Sequence, residues 1–153
     1  SNFARPGEEC RHNVGYWQGA YYLGLGVSAH SMLPASEEEK SAGAAYVRTA
    51  NVSRTEDYCR MMEETSSAME ARQPISRKEA MFEAMMLGLR MNQGVSGTDF
   101  QRRFGSSIRE IYEAPLNQAV RNGLGQWTAD GGYRLTAKGL LLENAVAVEL
   151  MEC

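Results

Sequence analysis

Hydrophobic positions after residue 75 recur at helical spacing. Phe82, Met85, Met86 and Leu89 fall at i, i+3, i+4 and i+7, and the capping-box pattern Ser76-Arg77-Lys78-Glu79 stands before them. The pattern predicts a helix that begins at this box and that Gly94 ends. Two more helices are predicted over residues 98–104 and 107–122, and Pro115 must kink or split the second of these.

Residues 124–135 predict a β-hairpin. Trp127, Thr128, Tyr133 and Leu135 flank the segment Ala129-Asp130-Gly131-Gly132, whose Asp-Gly-Gly sequence is typical of a hairpin turn. Thr136 is then placed to cap a final helix through Leu140, Leu141, Ala145 and Val148. Three or four helices with one hairpin predict a winged-helix-like domain over residues 76–153.

The first half of the chain is less regular. Glycines, Pro6 and Asn13 punctuate residues 1–19, which predicts a structured loop. The apolar run 21–27 predicts a short buried strand that ends in a Gly-rich turn, and residues 46–49 predict a second strand. Residues 34–43 predict an exposed mobile loop, and residues 54–70 a polar helix before a break at Gln73-Pro74. We therefore expect an α+β, mainly helical fold with domains at 1–75 and 76–153.

Charge argues against a polyanionic partner. The formal net charge is −3; residues 1–75 hold 7 basic and 10 acidic side chains, and residues 76–153 hold 9 of each. Although winged helices often bind DNA, and Arg102, Arg103, Arg109 and Arg121 could face phosphates, this balance offers no attraction for nucleic acid. The apolar runs are far shorter than the roughly 20 residues of a membrane-spanning helix, so no transmembrane segment is expected.

The three cysteines, Cys10, Cys59 and Cys153, are an odd number without C-x-x-C spacing. This usage fits a reducing compartment such as the cytoplasm better than a disulfide framework, and it supplies no iron–sulfur or zinc site. Cys59 lies in a helical pattern and is expected to be a small buried residue, while Cys153 is expected to be exposed at the terminus.

The densest polar and aromatic cluster is His12-Asn13-Val14-Gly15-Tyr16-Trp17. A neutral imidazole is a good axial ligand for haem iron and aromatic rings stack on porphyrins, so His12, Asn13, Tyr16 and Trp17 suit macrocycle binding, with Cys10 as a candidate additional ligand. By themselves, however, these residue types favour a loop packed onto a domain. His30 reads as a structural residue.

Two glycines mark a tight turn at Gly24-Leu25-Gly26. A dinucleotide fingerprint needs a third glycine and a βαβ context, so we reject a Rossmann site. The turn nevertheless permits a cofactor to approach the backbone closely. Methionines 81, 85, 86 and 91 have helical spacing, which favours core packing over a metal site.

Several strings together resemble one family. They are residues 1–7, His12-Asn13-x-x-Tyr16-Trp17, residues 22–30, Arg48-x-x-Asn51 with Tyr58, Glu83 with Leu89-Arg90 and Gly94-Val95, and Leu135-Thr136-x-x-Gly139. These are similar to the C-terminal part of the radical-SAM haem chaperone and oxygen-independent coproporphyrinogen III oxidase-like family, with a HemN C-terminal-type domain. The resemblance spans nearly the whole chain.

The resemblance implies a haem site at His12, with the His-Asn-x-x-Tyr-Trp string marking chaperone-like members. It also implies that residues 1–75 end a partial α/β barrel. The family's C-x3-C-x2-C motif, which holds a 4Fe-4S cluster and S-adenosylmethionine, has no match in this sequence. Those two cofactors are therefore expected in the parent protein only, and haem in the parent and in this chain.

Three functions follow as hypotheses. The leading one is a parent protein that binds haem and hands it to haem proteins. The runner-up is coproporphyrinogen III oxidation in porphyrin biosynthesis, and the third is a docking or lid module from residue 76 onward with no ligand of its own.

If the barrel segment lacks sheet partners, exposed Tyr22, Leu23 and Leu25 are expected to drive homo-oligomer formation.

Overall fold

A computed structural model describes residues 3–151, which form two compact units. Residues 20–80 make one unit, and the residues before and after them make the other. The boundary predicted between residues 75 and 76 stays a prediction. None of the helices within residues 3–151 combines the length and apolarity needed to cross a bilayer.

The unit of residues 20–80 is built on one three-stranded sheet. Its elements are β1 (His30–Pro34), α2 (Glu37–Ser41), β2 (Ala44–Asn51), α3 (Thr55–Thr65) and β3 (Met69–Ser76). The strands lie in the order β1-β2-β3, and both pairings are antiparallel. A strand-and-helix segment was predicted here, but this sheet does not have the parallel pairing of an α/β barrel.

β2 is the central strand of the sheet, paired with β1 on one side and with β3 on the other. Val47 is fully buried and Tyr46 nearly so, which confirms the strand predicted at residues 46–49. The prediction of a break at Gln73-Pro74 was wrong, because β3 runs through Pro74 and pairs it with Val47. A proline is tolerated there since β3 is an edge strand, where a missing N–H can face solvent. The polar helix is also shorter than predicted and ends at Thr65.

Two further predictions for this unit need correction. The run 21–27 is not a full strand, because only Tyr22 pairs with β1, through Met32. Tyr22 is half-buried, whereas Tyr21, Leu23 and Leu25 are exposed. The predicted loop 34–43 contains α2, which a capping box at Ser36 and Glu39 begins.

An ion pair fastens α2 to the edge strand of the sheet. The Arg72 guanidinium donates two hydrogen bonds to the Glu39 carboxylate, at 3.0 and 2.9 Å. The same hydrogen bonds from Arg72 hold the pKa of Glu39 below its usual value. Because Glu39 also caps the start of α2, one side chain fixes both the beginning of the helix and its place beside β3.

The second unit is mainly helical. It contains α1 (Arg11–Trp17), α5 (Gly97–Phe104), α6 (Ile108–Arg121), β4 (Gly125–Trp127), β5 (Tyr133–Leu135), α7 (Ala137–Leu140) and α8 (Glu143–Met151); α4 (Arg77–Gly88) runs into it from residue 80. The predicted capping box at Ser76 and Glu79 is confirmed by reciprocal hydrogen bonds of 2.8 and 3.2 Å. The helix that this box begins ends at Gly88 rather than at Gly94.

The proline in α6 distorts the helix as predicted. Tyr112, three residues before Pro115, has the non-helical φ/ψ pair −120°, 16°, because proline lacks an N–H and its ring crowds the preceding turn. The kink leaves Leu116 fully buried, and its carbonyl accepts a 3.0 Å hydrogen bond from the Tyr133 hydroxyl. Burial raises the pKa of Tyr133 to about 12.

The hairpin is confirmed, with β4 and β5 antiparallel around the Asp-Gly-Gly turn. Asp130 in that turn accepts hydrogen bonds from the Ser96 hydroxyl at 2.9 Å and the Gly97 amide at 3.0 Å, which ties the turn to the start of α5. Thr136 caps α7 as predicted, but the final helix is two helices, since α7 ends at Leu140 and α8 begins at Glu143. The α+β, mainly helical, winged-helix-like prediction is confirmed.

Candidate functional site

The predicted haem-binding residues lie on one short helix. His12, Asn13, Tyr16 and Trp17 all fall within α1, so the prediction of a structured loop was wrong for residues 11–17. Gly15 was read as punctuation, but a single glycine inside a helix costs only about 1 kcal/mol relative to alanine.

Helical spacing brings His12 and Tyr16 together. The two residues are four apart, which places them on the same face, and their ring centroids lie 4.7 Å apart in an edge-to-face arrangement with an interplanar angle of 89°. His12 is exposed, Tyr16 is 38% exposed, and Asn13 and Trp17 are half-buried. None of the α1 side chains is buried.

This donor set fits a haem. An exposed imidazole leaves a ring nitrogen accessible to iron, and an exposed aromatic ring beside it can contact the porphyrin. Trp17 is half-buried, as a side chain packed onto a domain would be, whereas His12 and Tyr16 are exposed. The helix therefore presents the His12–Tyr16 pair at the surface.

Cys10 stands at the N-cap of α1. It is exposed, and its side chain makes no capping hydrogen bond. Its role as an additional ligand stays a prediction.

The expectation that Cys59 is buried was wrong, because Cys59 is exposed on α3. Cys153 lies outside the described residues.

The glycine turn is a tight structure in the unit of residues 20–80. A side chain at Gly24 would collide with the backbone carbonyl of His30, and Gly24 donates its N–H to the Ser31 hydroxyl at 3.0 Å. Gly26 has a φ of +99°, which favours glycine, but open space surrounds its missing Cβ. Position 24 thus requires a glycine because the His30 carbonyl lies too close for a side chain, and position 26 favours a glycine because its φ is positive.

Asn51 completes this turn, although the sequence did not single it out as a site residue. Its side-chain amide donates a 2.9 Å hydrogen bond to the Gly26 carbonyl. In the sequence, the Arg48-x-x-Asn51 string was the available signal for Asn51. It did not predict the contact with Gly26, because 25 positions separate the two residues. The proximity of this turn to a cofactor stays a prediction.

The arginines considered for phosphate binding have partners within the protein. Arg102 pairs with Asp99 at 2.7 Å, and Arg109 pairs with Glu113 at 2.9 Å while its guanidinium lies 4.2 Å from the Trp127 ring centroid. Arg121 donates to the Gln118 side chain, and Arg103 donates to the Gln18 carbonyl. All four guanidinium groups are therefore engaged within the protein, so α5 and α6 do not offer them as a row of unpaired cations.

No cluster of three or more His, Cys, Asp or Glu side chains suited to a metal ion occurs within residues 3–151.

Comparison with known proteins gives a family match. The HemN C-terminal domain family matches residues 75–142. The chain is 31% identical over 146 residues to "Heme chaperone HemW" of Bacillus subtilis and 30% identical over 151 residues to "Heme chaperone HemW" of Mycobacterium tuberculosis. These matches cover 95% and 99% of this chain but 35% and 34% of the relatives, so the chain spans about a third of their length.

A solved structure shares the fold. It is the structure of coproporphyrinogen III oxidase (HemN) from Escherichia coli, a radical SAM enzyme. It matches with a TM-score of 0.62 and 20% sequence identity, over 87% of this chain and 29% of the other. At this identity the likeness shows the fold alone.

Proposed function

We propose that this chain is the C-terminal portion of a HemW/HemN-like radical-SAM protein and that this protein binds haem and delivers it to haem proteins. One observation carries the proposal. His12 is exposed on α1 with the Tyr16 ring 4.7 Å away, in a chain whose relatives in Bacillus subtilis and Mycobacterium tuberculosis are named heme chaperones.

Each α1 side chain has a distinct proposed role. His12 would offer a ring nitrogen to the haem iron, and Tyr16, whose ring restricts the imidazole from the side, would contact the macrocycle. Half-buried Asn13 and Trp17 flank this pair, and Cys10 is a further candidate ligand. The turn at Gly24 and Gly26 is proposed to offer backbone groups to a cofactor.

In the whole protein, the 4Fe-4S cluster and S-adenosylmethionine are proposed to be held outside this chain. The three cysteines of the chain lack the C-x3-C-x2-C spacing, and Cys10 and Cys59 are both exposed and free. We also propose a cytoplasmic location on the basis of this cysteine usage.

A homo-oligomer is proposed for the chain by itself. Tyr21, Leu23 and Leu25 alternate along the extended segment before β1 and are 54%, 68% and 83% exposed. Contiguous exposed apolar side chains on an incompletely paired strand favour association with another copy.

No observation favours coproporphyrinogen oxidation over this proposal, because the likeness to HemN supports the fold and the names of the curated relatives support haem binding. The two differ in a simple respect. An oxidase converts coproporphyrinogen when its cluster is reconstituted, whereas a chaperone binds haem without decarboxylating a substrate.

The test is a haem titration of this chain followed at the Soret band. Wild type is expected to bind saturably, and His12→Ala to bind at least about tenfold more weakly, because losing a ligand costs no less than losing a group that only orients one. His30→Ala is the matched control, since His30 is the other histidine and is also exposed.

The control is expected to bind like wild type. Saturable binding that His12→Ala leaves unchanged would contradict the site on α1. No binding by any of the three proteins would contradict haem binding by this chain and favour the docking-module hypothesis for residues 76–153.

A further inference from the structure

α1 is too short to be stable on its own. It has seven residues, with Gly15 in its interior, and its N-cap Cys10 makes no side-chain hydrogen bond. Isolated helices below about 12 residues are marginal in water, because nucleation costs more than a few backbone hydrogen bonds return. Asn13, Val14 and Trp17 are half-buried and no α1 side chain is fully buried, so burial supplies only part of the missing stability. Contacts at its ends must therefore supply the rest.

The carboxyl end of α1 is closed by a glycine. Gln18 is the C-cap, and Gly19 follows with a φ of +70° and donates its N–H to the Tyr16 carbonyl at 3.0 Å. Gly19, in the left-handed conformation, ends the helix. The Gln18 carbonyl therefore has no hydrogen-bond partner within α1.

Arg103, a residue of another helix, hydrogen-bonds to the Gln18 carbonyl. It lies in the last turn of α5, and its Nη1 donates a 3.0 Å hydrogen bond to the Gln18 carbonyl. A Cβ at Gly19 would stand 2.8 Å from Arg103 Nη2, so the glycine makes room for the guanidinium. The cation thus sits at the negative end of the α1 dipole, where positive charge is favourable.

The Arg103 side chain is itself restrained. Its guanidinium carbon lies 5.0 Å from the ring centroid of Phe104, and Phe104 is buried in the core of this unit. A planar guanidinium resting on an aromatic ring loses less side-chain freedom when it forms a hydrogen bond than a free side chain would. The contact to Gln18 is therefore made by a partly preorganised group.

We propose that Arg103 is a positioning residue: it anchors the carboxyl end of α1 to α5 and keeps His12 and Tyr16 together on a formed helix. The role in haem binding rests on the function proposed above, but the anchoring itself does not. A ligand that needs formed α1 binds more weakly by the fraction of molecules in which α1 is unfolded.

The first experiment measures amide hydrogen exchange of residues 14–19 in the absence of haem. Arg103→Ala is expected to speed exchange of these amides about fivefold, the effect of one charge-assisted hydrogen bond at an exposed site. Arg102→Ala is the matched control, because Arg102 is its neighbour on α5 but pairs with Asp99. The control is expected to exchange like wild type, and equal exchange in all three proteins would overturn the proposal.

The second experiment repeats the haem titration. Arg103→Ala is expected to weaken haem binding about two- to threefold. This change is smaller than the change in the amide exchange rate, because haem affinity falls only with the fraction of molecules that lose formed α1. The Soret maximum of the complex is expected to stay in place, since His12 is still the ligand. Arg103→Lys keeps the charge but not the planar fork, so it should restore part of the loss.

The outcomes separate the two proposals. If His12→Ala binds haem like wild type while Arg103→Ala still speeds exchange at residues 14–19, the haem site is wrong and the anchor stands. If His12→Ala loses binding while Arg103→Ala matches wild type in both experiments, the haem site stands and the anchor is overturned.

Discussion

At the scale of single residues, two glycines in one turn serve different physical purposes. Gly24 is close to the His30 carbonyl and has no space for a side chain, whereas Gly26 has space but a φ of +99°. Sequence alone cannot separate these roles, because both residues appear as glycines two positions apart.

Substituting the two glycines should therefore cost different amounts of stability. Gly24→Ala is expected to lower the free energy of unfolding by about 2–3 kcal/mol, because the backbone of β1 must move. Gly26→Ala should cost about 1 kcal/mol, the usual penalty for an L-residue in the left-handed region. Urea unfolding of both variants checks this, and equal losses would contradict the assignment.

At the scale of elements, the hairpin and α5 are held together by one carboxylate. Asp130 accepts hydrogen bonds from the Thr128 and Ser96 hydroxyls and from the Gly97 amide. Hydrogen bonds from Thr128 first, and then from Ser96, hold the pKa of Asp130 well below its usual range.

This predicts a specific loss of stability in acid. A carboxyl whose folded pKa is lowered stabilises the fold above its unfolded pKa, about 3.9, and that contribution is lost as pH falls below it. Between pH 7 and pH 3, wild type is expected to lose about 1 kcal/mol more than Asp130→Asn, a small value because Asp130 is exposed. Parallel pH dependence in urea unfolding of the two proteins would show that the carboxylate does not contribute.

At the scale of elements, the effects of prolines were harder to predict from the sequence than the positions of helix caps. Pro115 kinks α6 as predicted, but Pro74 sits within β3 without ending it. A proline in a helix always removes an internal hydrogen bond, whereas in a strand the effect depends on whether its nitrogen faces a neighbour. Only the position of β3 at the sheet edge decided the second case.

At the scale of the whole molecule, the described residues expose apolar side chains in several places. One is the alternating set Tyr21, Leu23 and Leu25, and another is near the C-terminus, where Leu141, between α7 and α8, and Val148, on α8, are 86% and 57% exposed. The first belongs to an extended segment with one paired residue, Tyr22, and strand-like segments of this kind recruit further strands.

Association is therefore expected to depend on the first surface. Leu23→Ser combined with Leu25→Ser should shift the chain toward monomer in sedimentation velocity, because it removes the apolar side chains of the extended segment. Leu141→Ser with Val148→Ser is the matched control and should leave the distribution unchanged. A wild-type chain that is monomeric at high concentration would overturn the proposed homo-oligomer.

The sequence by itself determined the features that depend on neighbouring positions. The capping box at Ser76, the kink at Pro115, the Asp-Gly-Gly hairpin and the alternation of helices with one hairpin were all predicted. The box, the kink and the hairpin depend on residues no more than ten positions apart. The site proposed around His12 stays a prediction, and the structure places its residues on a helix that the sequence did not predict.

Tertiary structure decided the contacts between distant positions. The hydrogen bond from Arg103 to Gln18 spans 85 positions, that from Asn51 to Gly26 spans 25, and the antiparallel order of the sheet joins segments far apart in sequence. Such pairings depend on the path of the chain, which no local pattern of residues encodes. For the same reason α1 was missed: a seven-residue helix forms only when another part of the fold holds its end.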